Sequence, residues 1–408
     1  MENKVLYLMK KLIFSFSLLF ASCSFQNKNE TPIVILVSFD GFRYDYSEQL
    51  KTPNFDYLRD NGVKAKSLKP IFPSFTFPNH YSIATGCYTD KHGILGNSFY
   101  DIKRKETYSY KIPSTVQDGS WYGCEPIWVT AEKNNIITAS YFWVGSEAEI
   151  NGYRPSIYKN YKNGINPISK VDSVMKWINN GNDNNIPGLI TLYFNEPDHS
   201  GHVFGPNHIN TQLQIELADS ILGYLLNSIN NLKIKDRINL IVVSDHGMVG
   251  VSEEKLIKVD DYIDSKNFEF YDKGPVMQLY AKNSKIEKID SVLIPHASIY
   301  VKEDFPDNFR FKTYNLGDFF LLADAGWMMY TEKDITPEGL TVSGMHGYDP
   351  NNMNMHGIFY AYGPSFKTNF NVESFELIHI YPLICNILDI EPYNDIDGDI
   401  NILKEILN

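Results

Sequence analysis

The chain has 408 residues, 43% of them hydrophobic and 21% charged, a composition that belongs to a globular protein and excludes a disordered one. Its net charge of -12 excludes a function that grips nucleic acid over a broad surface, because that requires Lys and Arg clustered on one face. Any phosphate the protein handles must be met locally, most simply by metal.

Taken in chain order, Lys4, Lys10 and Lys11 precede an apolar run at 12–20, followed by Ala21, Ser22 and Cys23. The run is too short to cross a bilayer and reads as an export signal over residues 1–22. The small residues before Cys23 resemble a bacterial lipobox. Lipidation of Cys23 would leave 23–30 as a linker and tether the protein in the periplasm or at the outer membrane; cleavage without lipidation is the other reading. Cys87, Cys124 and Cys385 then remain, an odd number that excludes a fully paired framework. One bridge between Cys87 and Cys124 and a set of free buried thiols both stand as readings. Cys385 lies in an apolar helical stretch and reads as a small hydrophobe.

Apolar runs at 33–39, 189–194 and 238–243 stop at or just before Asp40, Glu196 and Asp245. Continuous runs of this kind predict strands buried on both faces. Helices are predicted from Thr52-Pro53 to Gly62, with Thr52 as cap, through Leu213, Leu217, Ile221 and Leu225, and over 372–388. The alternation implies an α/β sandwich occupying residues 31–408. Residues 253–341 lack clear metal ligands and read as a small capping subdomain.

Zinc takes His nitrogen and Asp oxygen, so those of the ten histidines that lie near aspartates are the candidate ligands. Asp198 and His202 lie four apart after a predicted strand. Asp245 and His246 leave another strand together. Asp40 is a third strand-end carboxylate, and His346 lies in Gly344-Met345-His346-Gly347. Any one of these Asp residues could be a turn or helix cap, but in an open sheet the strand ends converge on one edge, where ligands bind. Thr76, two residues before Pro78, is expected at a helix N-terminus, as nucleophile or as capping residue. Phe77 and Tyr193 are candidate aromatic walls. His356 reads as an outer contact or surface polar group, and the Asn394 to Asp399 stretch as a turn, because its spacing fails the EF-hand template.

The motifs Ser38-Phe-Asp-Gly-Phe-Arg43, Thr76-Phe-Pro-Asn-His-Tyr-Ser82, Glu125-Pro-Ile-Trp-Val-Thr130, Glu196-Pro-Asp-His-Ser-Gly-His202, Ser244-Asp-His-Gly247 and His346-Gly-Tyr-Asp349 resemble the nucleotide pyrophosphatase/phosphodiesterase family of the alkaline phosphatase superfamily. The resemblance implies an alkaline phosphatase-like sandwich, with a mostly parallel central sheet flanked by helices. It implies two zinc ions, other divalent ions also suiting the ligands. One would be held by Asp198, His202 and His346, the other by Asp40, Asp245, His246 and Thr76. Thr76 would form a phosphorylated intermediate, Asn97 would donate to a phosphoryl oxygen, and Trp143 and Tyr161 would line a base pocket. The substrate expected is a small phosphodiester or nucleotide. A choline- or glycerophosphodiester hydrolase, a phosphomonoesterase and a non-catalytic ligand-binding lipoprotein are the alternatives. Vertebrate members commonly carry a Lys before Gly-Glu-Pro-Ile-Trp where this chain has Gly123-Cys124-Glu125, which implies a missing cation near the distal phosphates.

Overall fold

The computed structural model describes residues 31–408 except 182–184, 265, 283–288, 290 and 335–341; the predicted export signal and lipidated cysteine lie outside the described residues. In chain order the principal strands are β1 (Ile33–Phe39), β2 (Val63–Ala65), β3 (Thr138–Tyr141), β4 (Ile157–Lys159), β5 (Leu189–Phe194), β6 (Ile238–Val243), β7 (Phe268–Tyr271), β8 (Val276–Ala281), β9 (Ala297–Val301), β10 (Phe319–Ala323), β11 (Phe359–Tyr362) and β12 (Phe370–Val372). The main helices are α1 (Pro53–Asn61), α2 (Thr76–Thr85), α3 (Ile127–Lys133), α4 (Pro167–Asn179), α5 (Asp198–Phe204), α6 (Ile209–Asn230) and α7 (Ile380–Leu388).

Eight strands form the central sheet in the order β12-β2-β11-β6-β1-β5-β3-β4. Only β11 runs antiparallel to its neighbours, so the sheet is mostly parallel, as the apolar runs predict. The reason those runs are continuous is visible in β1. Val34 and Leu36 enter the core shared with α2, α3 and α7, whereas Ile33, Ile35, Val37 and Phe39 enter the core shared with α1, α4 and α6. Helices on both faces leave no side of the strand for polar residues.

Three local expectations are corrected. The helix predicted over 372–388 begins only at Ile380; Val372 instead pairs with Ala65 at the sheet edge, and Phe375 to His379 are extended or tightly wound. Pro382 lacks an N–H, so it is accommodated only in a first turn, and that sets the start. Thr52 does not cap α1; its hydroxyl donates to the Ser47 carbonyl, and Asp219 of α6 accepts from Asn54 N and Phe55 N at 2.9 and 3.0 Å. On α6, Ile221 and Leu225 are buried as expected but Leu213 and Leu217 are exposed. Of the two cysteine readings, the structure contains the Cys87–Cys124 disulfide, and Cys385 is buried and free.

Within residues 253–341, β7 to β10 make a separate antiparallel sheet in the order β7-β8-β10-β9. Phe305, Phe309, Phe311 and Phe320 surround Phe72, with ring centroids 4.3 to 6.2 Å away. None of the segment's described residues lines the cavity beside Thr76. The segment's described residues therefore brace the chain leading into α2.

Candidate active site

The predicted metal ligands meet because β6, β1 and β5 are neighbours at the centre of the sheet, and each delivers a polar residue from its carboxyl end. Asp40 follows β1, Asp198 opens α5 shortly after β5, and Asp245 and His246 follow β6. A backbone hydrogen bond from Asp198 N to Asp40 O (2.9 Å) ties two of these ends together. Gly41 permits that approach: its φ is +66°, and a Cβ there would stand 2.8 Å from the Asp198 Cα. His346 follows a short strand, Gly344–Met345, paired with Val249–Gly250.

Two clusters result. In one, His246 Nε2 lies 3.3 Å from Asp40 Oδ1, 3.1 Å from Asp245 Oδ2 and 3.2 Å from Thr76 Oγ1. In the other, Asp198 Oδ1 lies 3.4 and 3.5 Å from His202 Nε2 and His346 Nε2, which are 3.1 Å apart. The His246 and His346 rings stack at 3.5 Å, so the clusters adjoin.

The protons show what this arrangement accepts. His202, His246 and His346 each place Nδ1 2.8 to 2.9 Å from a backbone carbonyl, of Gly344, Gly247 and Ser74 respectively. A carbonyl only accepts, so Nδ1 carries the hydrogen and each Nε2 lone pair faces the cluster. Asp40 Oδ1, Asp198 Oδ1 and Asp245 Oδ2 are buried without a hydrogen bond. Lone pairs facing lone pairs call for cations, and Asp/His donors with carbonyl-anchored imidazoles suit zinc. Each trio offers ligand atoms within 4.8 Å of one another. The residues present thus fit two divalent ions.

Electrostatics point the same way. Burial, then the Asp245 and Asp198 charges, raises the Asp40 pKa well above the carboxylate range. Burial opposes charge on His246, but Asp245 more than offsets it and the pKa rises. Burial, reinforced by His246 and His202, pushes His346 well down. Asp245 is held low despite its burial by His246 and His80.

Thr76 is the first residue of α2, as predicted. Asn97 Oδ1 accepts from Phe77 N (2.9 Å), which fixes the amide orientation and leaves its Nδ2 as donor. Both line a cavity of about 740 Å³ with Phe77, Tyr161 and Tyr193. Tyr161 is 52% exposed and offers a free ring face. Trp143 lines the same cavity, as expected, but with little free surface: it is 2% exposed, packs on His80, and its indole N–H donates to the His80 carbonyl (3.0 Å). Tyr193 is also more than a wall, since its hydroxyl donates to Asp40 Oδ2 at 2.6 Å. Among the described residues, no Lys or Arg lines the cavity. Cys124, in the divergent Gly123-Cys124-Glu125 stretch, pairs with Cys87, and neither it nor Glu125 lines the cavity.

Sequence reasoning gave no role to His80, although it is four residues from Thr76 and so on the same helix face. It is fully buried, with Nε2 2.8 Å from Ser38 Oγ and Nδ1 3.0 Å from the Thr76 carbonyl and 3.2 Å from Asp245 Oδ2. Glu147 in the cavity carried no sequence signal either; it accepts from Tyr161 N and Gln117 Nε2. His356 is buried between Ser67 and the Pro350 carbonyl, away from both clusters, rather than at the surface. Asp395 and Asp397 pair with Lys91 and Arg310, as a structural turn would.

A family model described as type I phosphodiesterase / nucleotide pyrophosphatase matches residues 34–349. The chain belongs to this family. Ectonucleotide pyrophosphatase/phosphodiesterase family member 7 of Rattus norvegicus is 34% identical over 394 residues, covering 92% of this chain and 87% of that protein. Family member 5 of Homo sapiens is 33% identical over 408 residues, covering 98% and 83%. The solved structure of human member 5 matches with a TM-score of 0.86 at 31% identity, covering 92% of this chain and all of that one. Murine member 5, solved as an inactive threonine-to-alanine variant in complex with AMP, matches with the same TM-score at 29% identity, covering 93% of this chain. The fold is the alkaline phosphatase-like α/β sandwich that the motifs imply, and membership of the type I phosphodiesterase family makes the protein a hydrolase.

Proposed function

We propose that this phosphodiesterase hydrolyses phosphodiester or phosphoanhydride bonds of nucleotides by two displacements, with Thr76 as nucleophile and Zn²⁺ held in both clusters. The observation that carries the reading is Thr76 Oγ1 at the edge of the Asp40–Asp245–His246 group, at a helix N-terminus, facing the cavity. Bound there, the two ions would lower the pKa of the Thr76 hydroxyl and offset charge on the phosphoryl oxygens. In the first displacement the Thr76 hydroxyl gives up its proton and its oxygen bonds to phosphorus as the bond to the leaving oxygen breaks, the leaving oxygen taking up a proton. In the second, a water oxygen bonds to phosphorus, the bond to Thr76 breaks, and the hydroxyl regains a proton. Asn97 Nδ2 donates to a phosphoryl oxygen throughout, and Phe77 and Tyr161 bracket the base.

A diester is favoured over a monoester because, among the described residues, no lysine or arginine in the cavity meets a second negative charge. The AMP bound by murine member 5 supports a nucleotide. Glu147 among the rings supports, as a second reading, a choline phosphodiester held by cation–π contact. Export, with a lipid on Cys23, rests on the sequence of residues 1–23.

The test compares initial rates on bis(p-nitrophenyl) phosphate and p-nitrophenyl phosphate, then on ATP and glycerophosphocholine. Faster turnover of the diester and of ATP is expected. A preference for the monoester overturns the reaction class, and a preference for glycerophosphocholine overturns the nucleotide.

A further inference from the structure

Lys170 in the first turn of α4 is 3% exposed, and among the described residues its ammonium donates to the Tyr193 carbonyl at 3.0 Å. No described carboxylate pairs with it. Burial alone lowers its pKa, to about 8, with no neighbouring charge among the causes. A buried cation without a counter-ion is costly unless other groups around it offset the charge.

Three ring faces surround it: Phe142 at 5.0 Å, Phe194 at 5.3 Å and Tyr193 at 5.9 Å. Two of these lead to the active cavity. Phe142 packs under Tyr161, centroids 5.2 Å apart, and Tyr193 reaches Asp40. Phe142 is itself strained, with φ +69°, a conformation that a bulky residue keeps only where its surroundings hold it.

We propose that Lys170 is a positioning residue for substrate binding: from beneath, its ammonium holds Phe142 and the end of β5, and so sets the Tyr161 face on which the aromatic part of the substrate stacks. The proposal rests on the nucleotide reading above. Lys170 touches neither substrate nor metal ligand, so its effect is on affinity and not on the chemical step.

The test uses Lys170→Met and Lys170→Arg in the zinc-loaded chain. With the p-nitrophenyl ester of thymidine monophosphate, Lys170→Met is expected to raise KM about tenfold, the size of a desolvated cation–π contact. Its kcat is expected to stay within about twofold, and methyl p-nitrophenyl phosphate, which has no base, to be turned over as by wild type. Lys170→Arg keeps the cation and brings KM back to within about threefold of wild type. The Tm of Lys170→Met does not fall, because an unpaired buried charge has been removed. Unchanged KM in Lys170→Met, or equal losses on both esters without rescue by Arg, overturns the proposal. If Lys170→Met does not fold, Phe142→Leu must show the same split between the esters, and its absence overturns the proposal. Should wild type turn over neither ester, the functional reading fails. AMP affinity by calorimetry then decides Lys170 alone, about tenfold weaker binding supporting its role and equal binding or none overturning it.

Discussion

Tyr193 holds one Asp40 oxygen so that the other stays bare toward His246 Nε2. Such outer contacts hold a metal ligand's orientation, so Tyr193→Phe should weaken zinc binding about 10–100-fold while leaving activity largely recoverable at saturating zinc. Competition with a chromophoric chelator checks this, and unchanged affinity would count against the role. The clustered Asp and His residues were readable from sequence because few residue types bind zinc and most of these follow a strand end. His80 and Glu147 were not, because a histidine inside a helix and a lone glutamate look the same whether they pack or act.

Among the elements, the strands were the most legible, since burial on both faces leaves an unbroken apolar run. What was lost depended on partners distant in sequence. The carboxylate that caps α1 comes from Asp219 on α6, and the segment before α7 spends Val372 on an edge strand instead of a helix. The far end of α2 carries a pH dependence. His92 is fully buried against Ser82 Oγ, and burial lowers its pKa from 6.5 to about 3. Between those values the unfolded chain binds a proton that the folded chain refuses, so this group's contribution is intact above pH 6.5 and is lost as pH falls toward 3. The loss between pH 7 and pH 5 should be about 2 kcal/mol, read as a fall in the urea midpoint. His92→Gln should flatten that fall relative to wild type; an identical pH slope would contradict the assignment.

For the whole molecule, an acidic chain with no Lys or Arg among the described residues of its cavity places the burden of phosphate recognition on bound cations. About two zinc ions per chain are therefore expected by elemental analysis. Chelation should abolish activity and lower Tm, because the ions bind the folded chain, and zinc should restore both. Full activity after exhaustive chelation would remove the basis for the mechanism. The central claim is that Thr76 takes the phosphoryl group before water does. The most direct measurement is the configuration at phosphorus after hydrolysis of a P-chiral phosphorothioate diester in isotopically labelled water. Two in-line displacements through Thr76 predict net retention; net inversion would mean that water attacks directly and that Thr76 is not the nucleophile.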